Sequence, residues 1–185
     1  MKRKRNQKIW DALEKKQTEY TIQAGWFEDS KYDDGTPIGG IAAVQNYGAV
    51  INQTVTDKQR AFLHYLGIHL KKATHSLHIA IPPTHFWENC QNANKDKWLK
   101  LIKDAWTSVY LGNITSEEAM EQIAMVIEGD IAKAIAEVNS PPLSPLTIES
   151  KKRPYKDQKT TGSLNKRLVN TGQMFDAVSH KVEKR

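Results

Sequence analysis

The sequence predicts an α+β protein, and three observations carry that expectation. Two stretches, Tyr20 to Phe27 and His75 to Ile81, alternate at the two-residue period of a half-buried strand. Two others, 94–111 and 116–139, repeat apolar residues every three or four positions, the spacing that gives a helix one buried face. Turn and stop residues fall between these stretches: Gly35, Gly48, Gly67, Pro82-Pro83, Gly112 and Pro141-Pro142. At 185 residues, one domain is the default, and the chain is long enough to bury a core.

Taken in order, residues 3–17 read as an exposed helix whose stripe, Ile9, Trp10 and Leu13, is too thin for a core. In the first strand Tyr20, Ile22, Ala24 and Trp26 share a face. Asp33-Asp34-Gly35 marks a turn. Thr36 is placed as an N-cap and Pro37 as the first position of a helix from Ile38 to Tyr47, which Gly48 ends. Thr56 to Gln59 opens a helix bearing Phe62, Leu63 and Leu66, broken by Gly67. In the second strand Leu77, Ile79 and Ile81 lie on one side, and Pro82-Pro83 suits a strand end or sheet edge.

Asn94 is placed to cap a helix with Trp98, Leu101, Ile102, Ala105 and Val109 inside, ending at Gly112. Thr115 and Glu118 have capping-box spacing. They open the longest helix, whose core stripe is Met120, Ile123, Ala124, Ile127, Ile131, Ala134, Ile135 and Val138, with Glu121 on the exposed side. Gly129 inside it costs about 1 kcal/mol relative to Ala. Pro141 and Pro142 cannot continue the helix, having no N–H to donate and restricting the residue before each. Pro145 precedes a new turn at Leu146-Thr147-Ile148. Glu149 to Lys166 is basic and too poor in apolar residues to order itself by burial, so it reads as a loop. Asn170-Thr171-Gly172 is a turn using glycine's tolerance of positive φ. Phe175, Val178 and Val182 then give a short helical turn and a strand.

Charge is unevenly placed. The net +6 divides into five positive and no negative residues in 1–8, ten positive and three negative in 151–185, and an acidic body between. Two basic ends on an acidic body suit an acidic partner, either nucleic acid or the acidic face of a neighbouring copy. No apolar run is long enough to span a membrane. The basic start is not followed by the apolar region of a secretion signal. A single cysteine, Cys90, rules out an internal disulfide and fits a reducing cytoplasm.

No constellation points to catalysis, a cofactor or a metal. His75 and His78 would point to opposite faces of a strand, and only His85 and Cys90 stand near enough to add ligands. Cys90 with His85 lacks a third, orienting group. Asp33-Asp34 is explained by its turn, and Gly39-Gly40 lacks the Lys-Ser/Thr of a phosphate loop. Lys151-Lys152-Arg153-Pro154-Tyr155-Lys156 interleaves one aromatic with cations, a weak signal for tracking phosphates.

The word order adds to this reading. A helix ending in Asn139-Ser-Pro-Pro-Leu-Ser-Pro-Leu-Thr-Ile148, then Leu168-Val-Asn-Thr-Gly-Gln-Met174, resembles the virion morphogenesis (tail-completion, or neck) proteins of tailed bacteriophages. Their words there read roughly P-P-N-A-P-S-T-I and P-L-I-D-T-G-x-M. Ile41 to Gly48 is similar to the family's I-A-x-I/V-x-E-F/Y-G, with Gln45-Asn46 for Asn-Glu. Ile81 to Phe86 resembles I-P-A-R-P-F, with Thr84-His85 for Arg-Pro. Residues 54–72 resemble an insert found in part of the family. Leu143, Leu146 and Val169-Asn170 depart from the pattern, and the first eighteen residues lie outside it.

The residues themselves give a basic helical extension at 1–18, and the resemblance implies one domain at 19–185, including the basic loop 149–167. It implies a small, mostly antiparallel sheet packed on the helices at 94–111 and 116–139. The implied role is structural and non-enzymatic: a ring, six-fold by analogy, at the neck of the virion, assembled in the host cytoplasm. The implied partners are copies of the chain, the head connector or adaptor, the tail terminator or tail tube, and DNA passing through the ring. Candidate interface residues are Tyr47, Gly48, Ile81, Pro82, Phe86, Pro141, Pro142, Thr147, Lys151, Lys152, Arg153, Lys156, Thr171 and Gly172. The alternatives are a tail terminator or a non-enzymatic nucleic-acid-binding protein. For the basic arm, the acidic body of a neighbouring copy is the favoured partner.

Overall fold

The computed structural model describes residues 19–152 and 166–184. The expected helix at 3–17, Arg153, Lys156 and most of the basic loop therefore lie outside the described residues. The class is α+β, with several helices and two small antiparallel sheets. The expected single sheet is instead two separate pairs. β1 (Tyr20–Gly25) pairs with β4 (Ser179–Lys184), and β2 (Ala49–Thr54) pairs with β3 (Ser76–Ile81). The chain divides into two compact units, one of residues through Trp26, Cys90–Ile131 and Val178 onward, the other of Phe27–Asn89 and Ala132–Ala177.

The first unit is built on two helices, α3 (Phe86–Tyr110) from Cys90 onward and α4 (Ser116–Glu137) as far as Ile131. Ala105 and Val109 of α3 join Ala119, Met120 and Ile123 of α4 in a buried cluster. Tyr20, Ile22 and Val182 of the β1–β4 sheet, with Trp106 and Ile127, pack against it. The capping box forms as its spacing requires: Thr115 Oγ1 accepts from the Glu118 amide at 3.1 Å and Glu118 Oε2 from the Thr115 amide at 2.7 Å. Gly112, at φ 79°, turns the chain between the helices.

Two details of α3 differ from expectation. It starts at Phe86, so Asn94 lies inside it and donates to the Cys90 carbonyl at 2.9 Å instead of capping an end. Ile102 is exposed, and Trp106 takes part in the core in its place. The α4 stripe carries a polar residue that periodicity passed over. Asp130 is only 9% exposed. Its carboxylate accepts from Lys97 Nζ at 2.6 and 2.8 Å and from Trp98 Nε1 at 2.7 Å, so a buried anion is paired and hydrogen-bonded. Glu121 lies on the exposed side as expected, and there it accepts a bond from His180.

The second unit holds α1 (Ile38–Tyr47), β2, α2 (Asp57–Tyr65), β3, α5 (Pro145–Lys152) and α6 (Gln173–Asp176). The Asp33-Asp34-Gly35 turn forms, with Asp34 Oδ1 accepting from the Thr36 amide at 2.9 Å. Thr36 is not the cap of α1: that position is Pro37, in extended conformation and without a side-chain bond. Thr56 and Gln59 make a full capping box at α2. Arg60 then reaches out of α2 to the carbonyls of Leu70, Lys71 and Thr74, pinning the segment that leads into β3.

Candidate functional site

The sequence words that carry the family resemblance meet in the second unit, around the end of α1. A helix C-terminus leaves carbonyls unpaired and a helix N-terminus leaves amides unpaired. Here the two deficits satisfy each other. The Thr84 amide and Oγ1 donate to the Gln45 carbonyl at 3.0 and 2.8 Å, and the His85 amide donates to the Asn46 carbonyl at 3.0 Å. In return Asn46 Oδ1 accepts from the Trp87 amide at 3.0 Å, in the first turn of α3. Asn46 Nδ2 donates to both Glu88 oxygens, at 3.1 and 2.9 Å. These bonds from Asn46 are the main cause holding the Glu88 carboxyl below its ordinary range. Asn46 is 3% exposed, and His85 adopts a left-handed φ of 51° within this knot.

The other words attach at the same place. Gly48, at φ 77° and ψ 167°, turns the chain from α1 into β2. A Cβ there would lie 2.7 Å from the Ile81 carbonyl oxygen and 3.0 Å from the Pro83 ring. Ile81, half-buried, ends β3 opposite Ala49. Phe86 is 3% exposed and Tyr47 is 65% exposed, so of these two aromatic candidates only Tyr47 offers a face outward. Pro141 follows a cis bond from Ser140. Its carbonyl accepts from Arg167 Nη1 at 3.0 Å, while Pro82's accepts from Nη2 at 2.6 Å. Arg167 thus ties the Pro82 and Pro141 words together. Pro142 and Thr147 are exposed, and Thr147 is bonded to Ser144 at the start of α5. Thr171 Oγ1 bonds Gln173, and Gly172, at φ 88°, precedes α6.

The basic segment divides into residues with different surroundings. Glu149 to Lys152 belongs to α5, not to a loop. Lys151, 9% exposed, donates from Nζ to the carbonyls of Lys166 and Val169. Its ammonium faces the protein's own backbone, and burial pushes its pKa down. This corrects its expected place on an outward-facing arm. Lys152 is exposed and pairs with Glu149 at 3.5 Å. Lys151→Met is accordingly expected to lower unfolding free energy by about 1–3 kcal/mol, since two carbonyls lose a charged donor. Lys152→Met should stay within about 0.5 kcal/mol, both read from denaturant midpoints.

The β2–β3 pair is exposed on both faces with little polar cover: the cross-strand partners Ile51 and Ile79 lie on one and Val50, opposite Ala80, on the other. β2 and β3, AVINQT and SLHIAI, hold no Lys, Arg, Asp or Glu. Val50 is 62%, Ile51 40% and Ile79 38% exposed, which corrects the expected burial of Ile79. Among the described residues each of these strands pairs only with the other. An isolated two-stranded sheet is marginal in water, and open strand edges ordinarily carry charge or proline to discourage pairing. Neither protection stands within these strands.

Asn46, Glu88 and Arg167 were missed as site residues by sequence reasoning. A polar residue at the end of the Ile41-Ala42-Ala43-Val44 run was a usable signal for Asn46. Nothing local marked Arg167. Among the described residues no group of three or more His, Cys, Asp and Glu side chains could hold a metal ion, and no helix is long and apolar enough to cross a membrane. No protein-family model matches this chain, nor does any curated protein or solved structure.

Proposed function

We propose that this chain is a structural virion protein of a tailed phage, whose copies form a ring at the neck and join the head connector to the tail. The observation that carries the reading is the uncharged β2–β3 pair, whose cross-strand partners Ile51 and Ile79 leave one face apolar and exposed, with Val50 exposed on the other. A surface of that kind favours burial against another protein. A second copy is the occupant we favour, because a neutral strand edge can meet an identical edge without burying charge. The Gly48–Pro83 knot supports the same reading, since it fixes the root of β2 and β3 rigidly, as a contact element repeated around a ring requires. The two long helices serve as the scaffold, and the basic composition of residues 1–8 and 151–185 suits an acidic neighbour or DNA in the ring.

The test is assembly. Purified protein is expected to form a closed oligomer in sedimentation and a ring in electron micrographs. Ile51→Lys with Ile79→Lys, partners on one face, should weaken self-association about tenfold or more, as loss of an interface centre does. Circular dichroism should show the helices retained. Wild-type protein that stays monomeric at its solubility limit, or a double variant that assembles undiminished, would overturn the proposal.

A further inference from the structure

His180, on β4, stands opposite Ala24 of β1, on the sheet face that also holds Tyr20, Ile22, Val182 and Lys184. Tyr20, Ile22 and Val182 pack on the α3–α4 core. At this end of the face the imidazole meets two carboxylates of α4. Nδ1 lies 2.5 Å from Glu128 Oε2 and Nε2 lies 3.0 Å from Glu121 Oε2. The two glutamates are two helical turns apart, about 10 Å of rise, so the ring bridges levels two turns apart on one helix face.

This geometry specifies a protonation state. An ionised carboxylate accepts only, and a neutral imidazole has one N–H. Both bonds coexist only when the ring is an imidazolium. In a neutral ring that keeps its N–H toward Glu128, the Nε2 lone pair faces the Glu121 oxygen, and attraction becomes repulsion. Glu121 is the more exposed partner, at 49% against 35%, and is the one free to withdraw.

We propose that His180 is a proton-operated latch that fastens the β1–β4 sheet to α4 at two points when protonated and at one when neutral. The charged groups that act on the ring are Glu128 and Glu121 of α4, and on its own sheet face Tyr20 of β1 and Lys184 of β4 stand at the far end. The hydrogen bond to Glu128 is the leading cause of a pKa raised from the ordinary 6.5, with Glu121 adding to it and burial opposing. For a base whose folded pKa is raised, the stabilisation is complete below the unfolded value. It is lost as pH rises through the folded value. The latch therefore holds below the ordinary histidine value and lets go as pH rises through a folded value lying above 6.5.

The experiment is a titration of His180 by NMR in the full chain, with stability measured over the same pH range for wild type, His180→Gln and Glu121→Gln. His180 is expected to titrate above 6.5. Its value should fall on Glu121→Gln. The stability advantage of wild type over His180→Gln should shrink as pH rises through the titration. A titration at or below 6.5 would overturn the latch. So would an advantage that stays constant across it, which would mean that the ring only fills space. Should His180→Gln fail to fold, wild type against Glu121→Gln gives the same comparison, because that variant removes one carboxylate charge and leaves the ring in place.

Discussion

Ile123→Ala is expected to lower the unfolding free energy by about 2–5 kcal/mol, the range for deleting a fully buried aliphatic side chain and leaving a cavity. Ile123 is 1% exposed and is surrounded by Ala105, Val109, Ala119 and Met120. Two of these are alanines, which have no side-chain rotamers with which to close a void, so the loss should fall toward the upper part of the range. Ile127→Ala should cost less, because Ile127 is half-buried and rests against the cluster's edge. Met125, on the same helix but 63% exposed, should tolerate Ala within about 0.5 kcal/mol. Urea denaturation of the three variants checks the gradient. Equal losses at 123 and 125 would mean that α4 buries another face.

What was legible in the sequence was mostly local. The bounds of α1, Ile38 to Tyr47, follow from Pro37 and Gly48 alone, and the capping boxes at Thr56 and Thr115 follow from residues three apart. The α4 stripe was legible because a helix face repeats with a fixed period. What was not legible depends on partners far along the chain. Asn46 meets Glu88, forty-two positions away, and His180 meets Glu128 and Glu121, fifty-two and fifty-nine away. No periodicity encodes such meetings.

The basic segment makes the same point from the other side. Composition assigns Glu149 to Lys166 to a loop, because few apolar residues are present to order it. Composition cannot register that Lys151 buries its stem and gives its ammonium to two carbonyls. The candidate site was half legible: the words at 41–48, 81–86 and 139–148 located it, but not the role of their residues. Phe86 is buried, Pro82 and Pro141 lend carbonyls to Arg167, and of the exposed β2–β3 pair only β3 was read as a strand, and as a half-buried one.

Gly48→Ala should destabilise the second unit by about 2–6 kcal/mol, through two effects that add. The first is conformational. A φ of 77° with ψ of 167° lies in a region that belongs almost wholly to glycine, at a cost of about 1–3 kcal/mol for another residue. The second is steric. A methyl group would stand 2.7 Å from the Ile81 carbonyl oxygen and 3.0 Å from the nitrogen and Cδ of Pro83, and these neighbours are backbone or a rigid ring that cannot swing aside. Overpacking of this kind costs about 1–3 kcal/mol. Asn, which eases the left-handed helical conformation, should give no rescue at 48, because this ψ lies outside that region. Gly67 supplies the control: its φ is 85°, but a Cβ there would meet nothing within 4 Å. Gly67→Ala should therefore lose only the conformational part, about 1–2 kcal/mol. Thermal unfolding of Gly48→Ala, Gly48→Asn and Gly67→Ala separates the two contributions. Equal losses at 48 and 67 would show that the approach of β3 to the end of α1 is looser than these distances state.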